Sequence, residues 1–154
     1  MNEKVLHTLE YNKILDQLTE YAFSADAKSR CQKLRPITDR AQIEQLQQQT
    51  SDALSRLFKY GSLSFSGVTD IRDSLKRLEI GGALSAIELL RVCSLLESAK
   101  RAKAFARSQD DSDQPDDSLT ILFAGIEPLT PLCDEIRRCI LSEDEIADDA
   151  SSTL

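Results

Sequence analysis

Two stretches of this chain, 39–60 and 83–114, contain neither glycine nor proline, and in both the apolar residues recur every three or four positions. In the first, Ile43, Leu46, Thr50, Ala53, Leu54, Leu57 and Phe58 form the stripe expected to be buried. In the second, Val92, Leu95, Leu96, Ala99, Ala102 and Ala106 do the same. A period of three to four places side chains on one face of an α-helix, whereas a strand needs strict alternation. The sequence therefore predicts two long amphipathic helices, and the rest of the chain has to pack around them.

Local signals mark their ends. Asp39 with Gln42 three residues on forms the opening of a capping box, and Gly61 is the natural stop for the first long helix. Ser85 with Glu88 caps the second, which should run to about Arg107. Upstream, Tyr11, Ile14, Leu15, Leu18, Tyr21 and Ala22 predict a helix over 8–22, and Ser24 caps a shorter one that ends near Leu34, because Pro36 forces Arg35 out of the helical region. A short helix at 70–79 should carry an Asp73–Arg77 pair and end at Gly81 and Gly82. The loop 61–69 offers Phe65 as a plug for a neighbouring helix. Another short helix is expected at 119–125, and Thr130 followed by Pro131 opens a last one with Arg137 and Arg138 in its final turn.

Composition agrees. Of 154 residues, 5 are glycine and 4 proline, too few for a turn-rich barrel or sandwich, while 41% hydrophobic content is enough to exclude a disordered chain. The expected fold class is all-α, six to seven helices in mostly antiparallel packing, as a single unit over 1–154. No window approaches the roughly 20 apolar residues that cross a bilayer, and MNEKVLHTLEY lacks the basic start and apolar block of a secretion signal, so a cytoplasmic location without membrane partners is expected. The run SQDDSDQPDDS has no apolar residue, which predicts a flexible acidic loop at 108–118.

Charge and chemistry narrow the function. Residues 1–108 hold 17 basic and 13 acidic side chains, while 109–154 hold 2 basic and 13 acidic, so the formal charge of −7 comes from the C-terminal third. Lys100, Arg101, Lys103 and Arg107, with Arg72, Lys76 and Arg77, are the candidates for phosphate contact, but basic residues also suit the last turn of a helix. Glu143, Asp144, Glu145, Asp148 and Asp149 invite a magnesium site, yet a solvated acidic run lacks the rigid frame that a metal requires. Cys31, Cys93, Cys133 and Cys139 show no CxxC spacing, and His7 is the one histidine, so free thiols are expected and no zinc site. No phosphate-cradling loop, dinucleotide fingerprint, zinc-protease or serine-hydrolase motif occurs. The residues assign no catalytic, cofactor-binding or metal position.

Three segments carry a family likeness: 5–24, VLHTLEYNKILDQLTEYAFS; 50–92, TSDALSRLFKYGSLSFSGVTDIRDSLKRLEIGGALSAIELLRV; and 135–151, EIRRCILSEDEIADDAS. Together they resemble the N-terminal part of the second type of bacterial MutS homologue, the paralogue that lacks the mismatch-recognition domain and carries a MutS-related (Smr) nuclease domain at its far end. The resemblance spans nearly all of 5–152. It implies a MutS-core-like helical fragment whose parent dimerises, binds and hydrolyses ATP with magnesium, acts as an endonuclease, and binds branched or structured DNA to suppress homologous recombination. Some members of the family are linked to collided ribosomes, which adds ribosome rescue and rRNA binding to the expectations. Residues 142–154 would then be a truncated exit toward a missing lever helix. The competing reading is a free-standing helical adaptor that presents an amphipathic groove to a partner protein.

Overall fold

A computed structural model describes residues 3–106 and 116–151. Eight helices occur among the described residues: α1 (Glu3–Thr8), α2 (Tyr11–Glu20), α3 (Ala25–Lys33), α4 (Arg40–Tyr60), α5 (Arg72–Glu79), α6 (Ala86–Ala106), α7 (Thr120–Ala124) and α8 (Thr130–Cys139). The sole extended pairing among them is an antiparallel bridge between Ile140 and Ile146. The all-α class holds. No described helix is long and apolar enough to cross a membrane.

The caps expected from local chemistry form. The Ser24 hydroxyl accepts from the Ala27 amide at 3.1 Å, and the Asp39 carboxylate accepts from the Gln42 amide at 2.9 Å. Glu88 accepts from the Ser85 amide at 2.9 Å while its own amide donates to the Ser85 hydroxyl, a reciprocal box. Gly61 ends α4 with φ +85°, a conformation that side-chain-bearing residues avoid.

Other expectations are corrected. The helix expected at 8–22 is the shorter α2, Tyr11–Glu20, and Glu10 at φ +55° separates it from α1, a helix that the sequence did not predict. Leu129, not Thr130, stands before the first helical residue of α8, also left-handed at φ +42°. Phe65 does not plug a neighbour; it is nearly half exposed. Asp73 pairs with Lys76 at 3.1 Å, and Arg77 turns across to Glu88 at the start of α6, joining two elements where a within-helix pair was expected.

The spine of the molecule is α6. It packs against α8 and α7, and Cys93, Cys133, Ile136 and Ile140 form the buried cluster between α6 and α8, flanked by Leu89, Leu90, Val92 and Leu96. After α8 the chain folds back through the Ile140–Ile146 bridge, with the Ala147 amide donating to the Cys139 carbonyl at 2.9 Å, so that Ala147 is buried too. At the other end α2 packs on both α1 and α3.

Helix α4 reverses the expected orientation. Its half-buried and buried positions are Ile43, Gln49, Asp52, Ala53, Arg56 and Tyr60. Most of the apolar stripe faces out: Leu46, Leu54 and Leu57 are exposed, and Phe58 is 83% exposed. The helix docks by its polar line.

Candidate functional site

That polar line ends in a charged clasp. Arg56 is 3% exposed and grips Asp117 through both arms of its guanidinium, Nε to Oδ2 and Nη2 to Oδ1, each at 2.7 Å. Such a fork-on-carboxylate geometry is the strongest form of side-chain ion pair. Arg56 Nη2 also donates to the Thr120 hydroxyl at 3.2 Å, and its guanidinium carbon sits 5.0 Å from the centre of the Phe123 ring. One turn earlier, Asp52 accepts from both the amide and the hydroxyl of Ser118, at 3.1 and 2.6 Å. The carboxyl of Asp117 is held below its ordinary value by Arg56, against the opposing effect of burial. Phe105 of α6 lies edge-on to Tyr60 with ring centres 6.3 Å apart, completing the junction of α4, α6 and α7. Residues 108–115 of the expected acidic loop lie outside the described residues. Asp117 and Ser118, which that expectation also included, are fastened to α4 because aspartate and serine here have fixed partners rather than solvent.

The basic candidates disperse into local pairs. Arg72 bonds to Asp70 and reaches Asp26 at 3.1 Å, Lys76 pairs with Asp73, Arg77 with Glu88, and Lys103 with Glu127 at 3.7 Å. Arg101 donates to the Ser98 hydroxyl at 2.7 Å. Lys100 and Lys103 share a shallow groove with Ala104, Glu127 and Pro128, whose carboxylate offsets their charge. Arg107 lies outside the described residues. The acidic run does not converge: Glu143, Asp144, Glu145, Asp148 and Asp149 are all exposed. His7 is exposed beside α2, in a groove shared with Asp16, Gln32 and Arg35.

The cysteines hold the arrangement that sequence spacing hides. All four are free thiols, as expected. Cys133 and Cys139, six apart, do not meet each other; Cys93 and Cys133, forty positions apart on α6 and α8, do. Each sulfur lies against the other residue's carbonyl oxygen, Cys93 Sγ to Cys133 O at 3.6 Å and Cys133 Sγ to Cys93 O at 3.7 Å. Glu97, one turn along α6 from Cys93, accepts from its thiol at 3.8 Å and from Arg137 Nε and Nη2 at 3.1 and 3.0 Å. Cys93 is fully enclosed, and this burial pushes its thiol up to about 12. Neither the Arg56 clasp nor the Cys93–Cys133 meeting had a local signal in the sequence, since each depends on residues at least forty positions away.

Comparison with known proteins shows what this chain resembles. A protein named endonuclease MutS2 from Agathobacter rectalis is 60% identical over 154 residues, all of this chain but 19% of the relative. The endonuclease MutS2 of Lachnoclostridium phytofermentans is 49% identical over 158 aligned residues, and that of Acetivibrio thermocellus 42% over 154, again covering this whole chain. No family model matches it. The chain spans about one fifth of the length of these relatives. Aligned throughout at up to 60% identity, it is similar to the N-terminal fifth of proteins named endonuclease MutS2.

Proposed function

We propose that this chain is a non-catalytic helical core piece of a MutS2 protein, a scaffold on which the rest of that protein packs. The observation that carries the reading is α4: its apolar stripe, Leu46, Leu54, Leu57 and Phe58, faces solvent while its polar line packs inward. Large contiguous apolar faces on a soluble domain mark contact surfaces. Four fifths of the length of the relatives lies beyond the matched part, and a segment of it is the natural cover for this stripe.

On this reading the parent is a cytoplasmic, dimeric, DNA-binding ATP hydrolase and endonuclease whose ATP, magnesium and nuclease sites lie outside this chain. Branched DNA is its substrate in suppressing homologous recombination, and the ribosome is a second target. The spine α6, packed on the α7 segment that Arg56 clasps to α4 and joined to α8 through the cysteine cluster, would pass rigid-body motion between the covering segment and the remaining helices. Leu54→Asp in the full-length protein tests this: branched-DNA stimulation of ATP hydrolysis should fall at least tenfold while basal hydrolysis persists. Undiminished stimulation contradicts the reading.

The adaptor reading has one observation in its favour, an open groove on α4 and its approach lined by Ile37, Ile43, Leu46 and Thr50. It predicts that Leu54→Asp abolishes capture of a separate helical partner by this chain on its own.

A further inference from the structure

Outside the core role proposed above, one side-chain cluster has the chemistry of a ligand site. The sulfurs of Cys93 and Cys133 and a carboxylate oxygen of Glu97 all lie within 4.8 Å of one another. Tetrahedral zinc holds sulfur at about 2.3 Å and carboxylate oxygen at about 2.1 Å, which sets its ligand atoms about 3.5 to 3.8 Å apart. We propose that Cys93, Cys133 and Glu97 form a binding site for a single thiophilic divalent cation of the zinc class.

Three features fit that ligand. Two sulfurs with one carboxylate is a donor set for soft or borderline ions rather than magnesium or calcium, which take oxygen alone. Glu97 is half-buried, so its side of the site admits the ion and leaves a fourth position to water, while Cys93 and Cys133 close the other side. Arg137 already holds Glu97, at 3.0 and 3.1 Å, and orients the carboxylate as outer partners of metal ligands do. Charge closes as well. Two thiols give up two protons, the two thiolates and the carboxylate bring three negative charges, the ion supplies two positive ones, and the Arg137 guanidinium neutralises the remainder.

The experiment is a titration of the 154-residue chain with cadmium, following the ultraviolet thiolate-to-metal charge-transfer band and proton release. The expected result is saturation at one ion per chain with two protons released. The band should vanish in Cys133→Ala, persist in the Cys31→Ala, Cys139→Ala double variant, and require about tenfold more cadmium in Glu97→Gln. A band that survives Cys133→Ala, one that depends on Cys31 or Cys139, or a Glu97→Gln titration identical to the parent overturns the proposal. Should Cys133→Ala lose its helicity, zinc-edge X-ray absorption of the unmutated chain decides: two sulfurs per ion are expected, and any other sulfur count, or no bound zinc, overturns it.

Discussion

Arg56 ties α4 to Asp117, Thr120 and Phe123, and its own guanidinium is buried while they are half-buried. Arg56→Met should therefore destabilise the chain by about 3 kcal/mol, largely through the stranded Asp117 carboxylate, as a urea transition will show. Lysine should not rescue it, since a single ammonium cannot span both carboxylate oxygens. The effect depends on pH. Asp117 titrates below its ordinary 3.8 in the folded chain, so its contribution is complete at neutral pH and is lost as the pH falls through its lowered value. The stability gap between the parent chain and Arg56→Met should thus narrow on the acid side and stay constant between pH 6 and 8, both figures being approximate. Tyr60 offers the opposite case. Its hydroxyl is shut away from solvent with no hydrogen-bond partner among the described residues, so Tyr60→Phe should raise stability by about 1 kcal/mol.

At the scale of elements, the start of α6 is the most completely specified boundary. Glu88 accepts from the Ser85 amide and from Arg77, and these hold its carboxyl down at about 2. Ser85→Ala should cost about 1 kcal/mol. In the parent chain the Glu88 contribution, present above its ordinary 4.5, is lost only as the pH falls toward 2, so Glu88→Gln should differ from the parent at pH 5 and converge with it at the acid extreme. Helix content followed across an acid titration checks this. Boundaries of this kind were legible in the sequence because caps act over three or four residues: Ser24, Asp39, Gly61 and Ser85 all stand where their chemistry predicts. The break between α1 and α2 was not, since a left-handed glutamate at position 10 has no local signature. Nor was the facing of α4 legible. An apolar stripe ordinarily points inward, and here the fixed bonds of Asp52 and Arg56 to residues more than sixty positions away decide the matter instead. The meeting of Cys93 with Cys133 and Glu97 was hidden for the same reason, as it needs the crossing of α6 with α8.

Over the whole molecule, the exposed large apolar residues run from Leu9 through Phe58 to Ile80, Ile121 and Ile146. The uncovered face of α4 lies at the centre of the account. A buried aromatic is worth several kcal/mol and an exposed one almost nothing, so one substitution measured in two contexts separates the cases. The measurement is the unfolding free energy of Phe58→Ser against its parent, once in this chain alone and once in the longer protein proposed above to contain it. The account predicts a change within about 0.5 kcal/mol in the chain alone and a loss of about 3 kcal/mol in the full-length protein. Equal, negligible changes in both would contradict it, for they would mean that Phe58 stays in water wherever this region is placed.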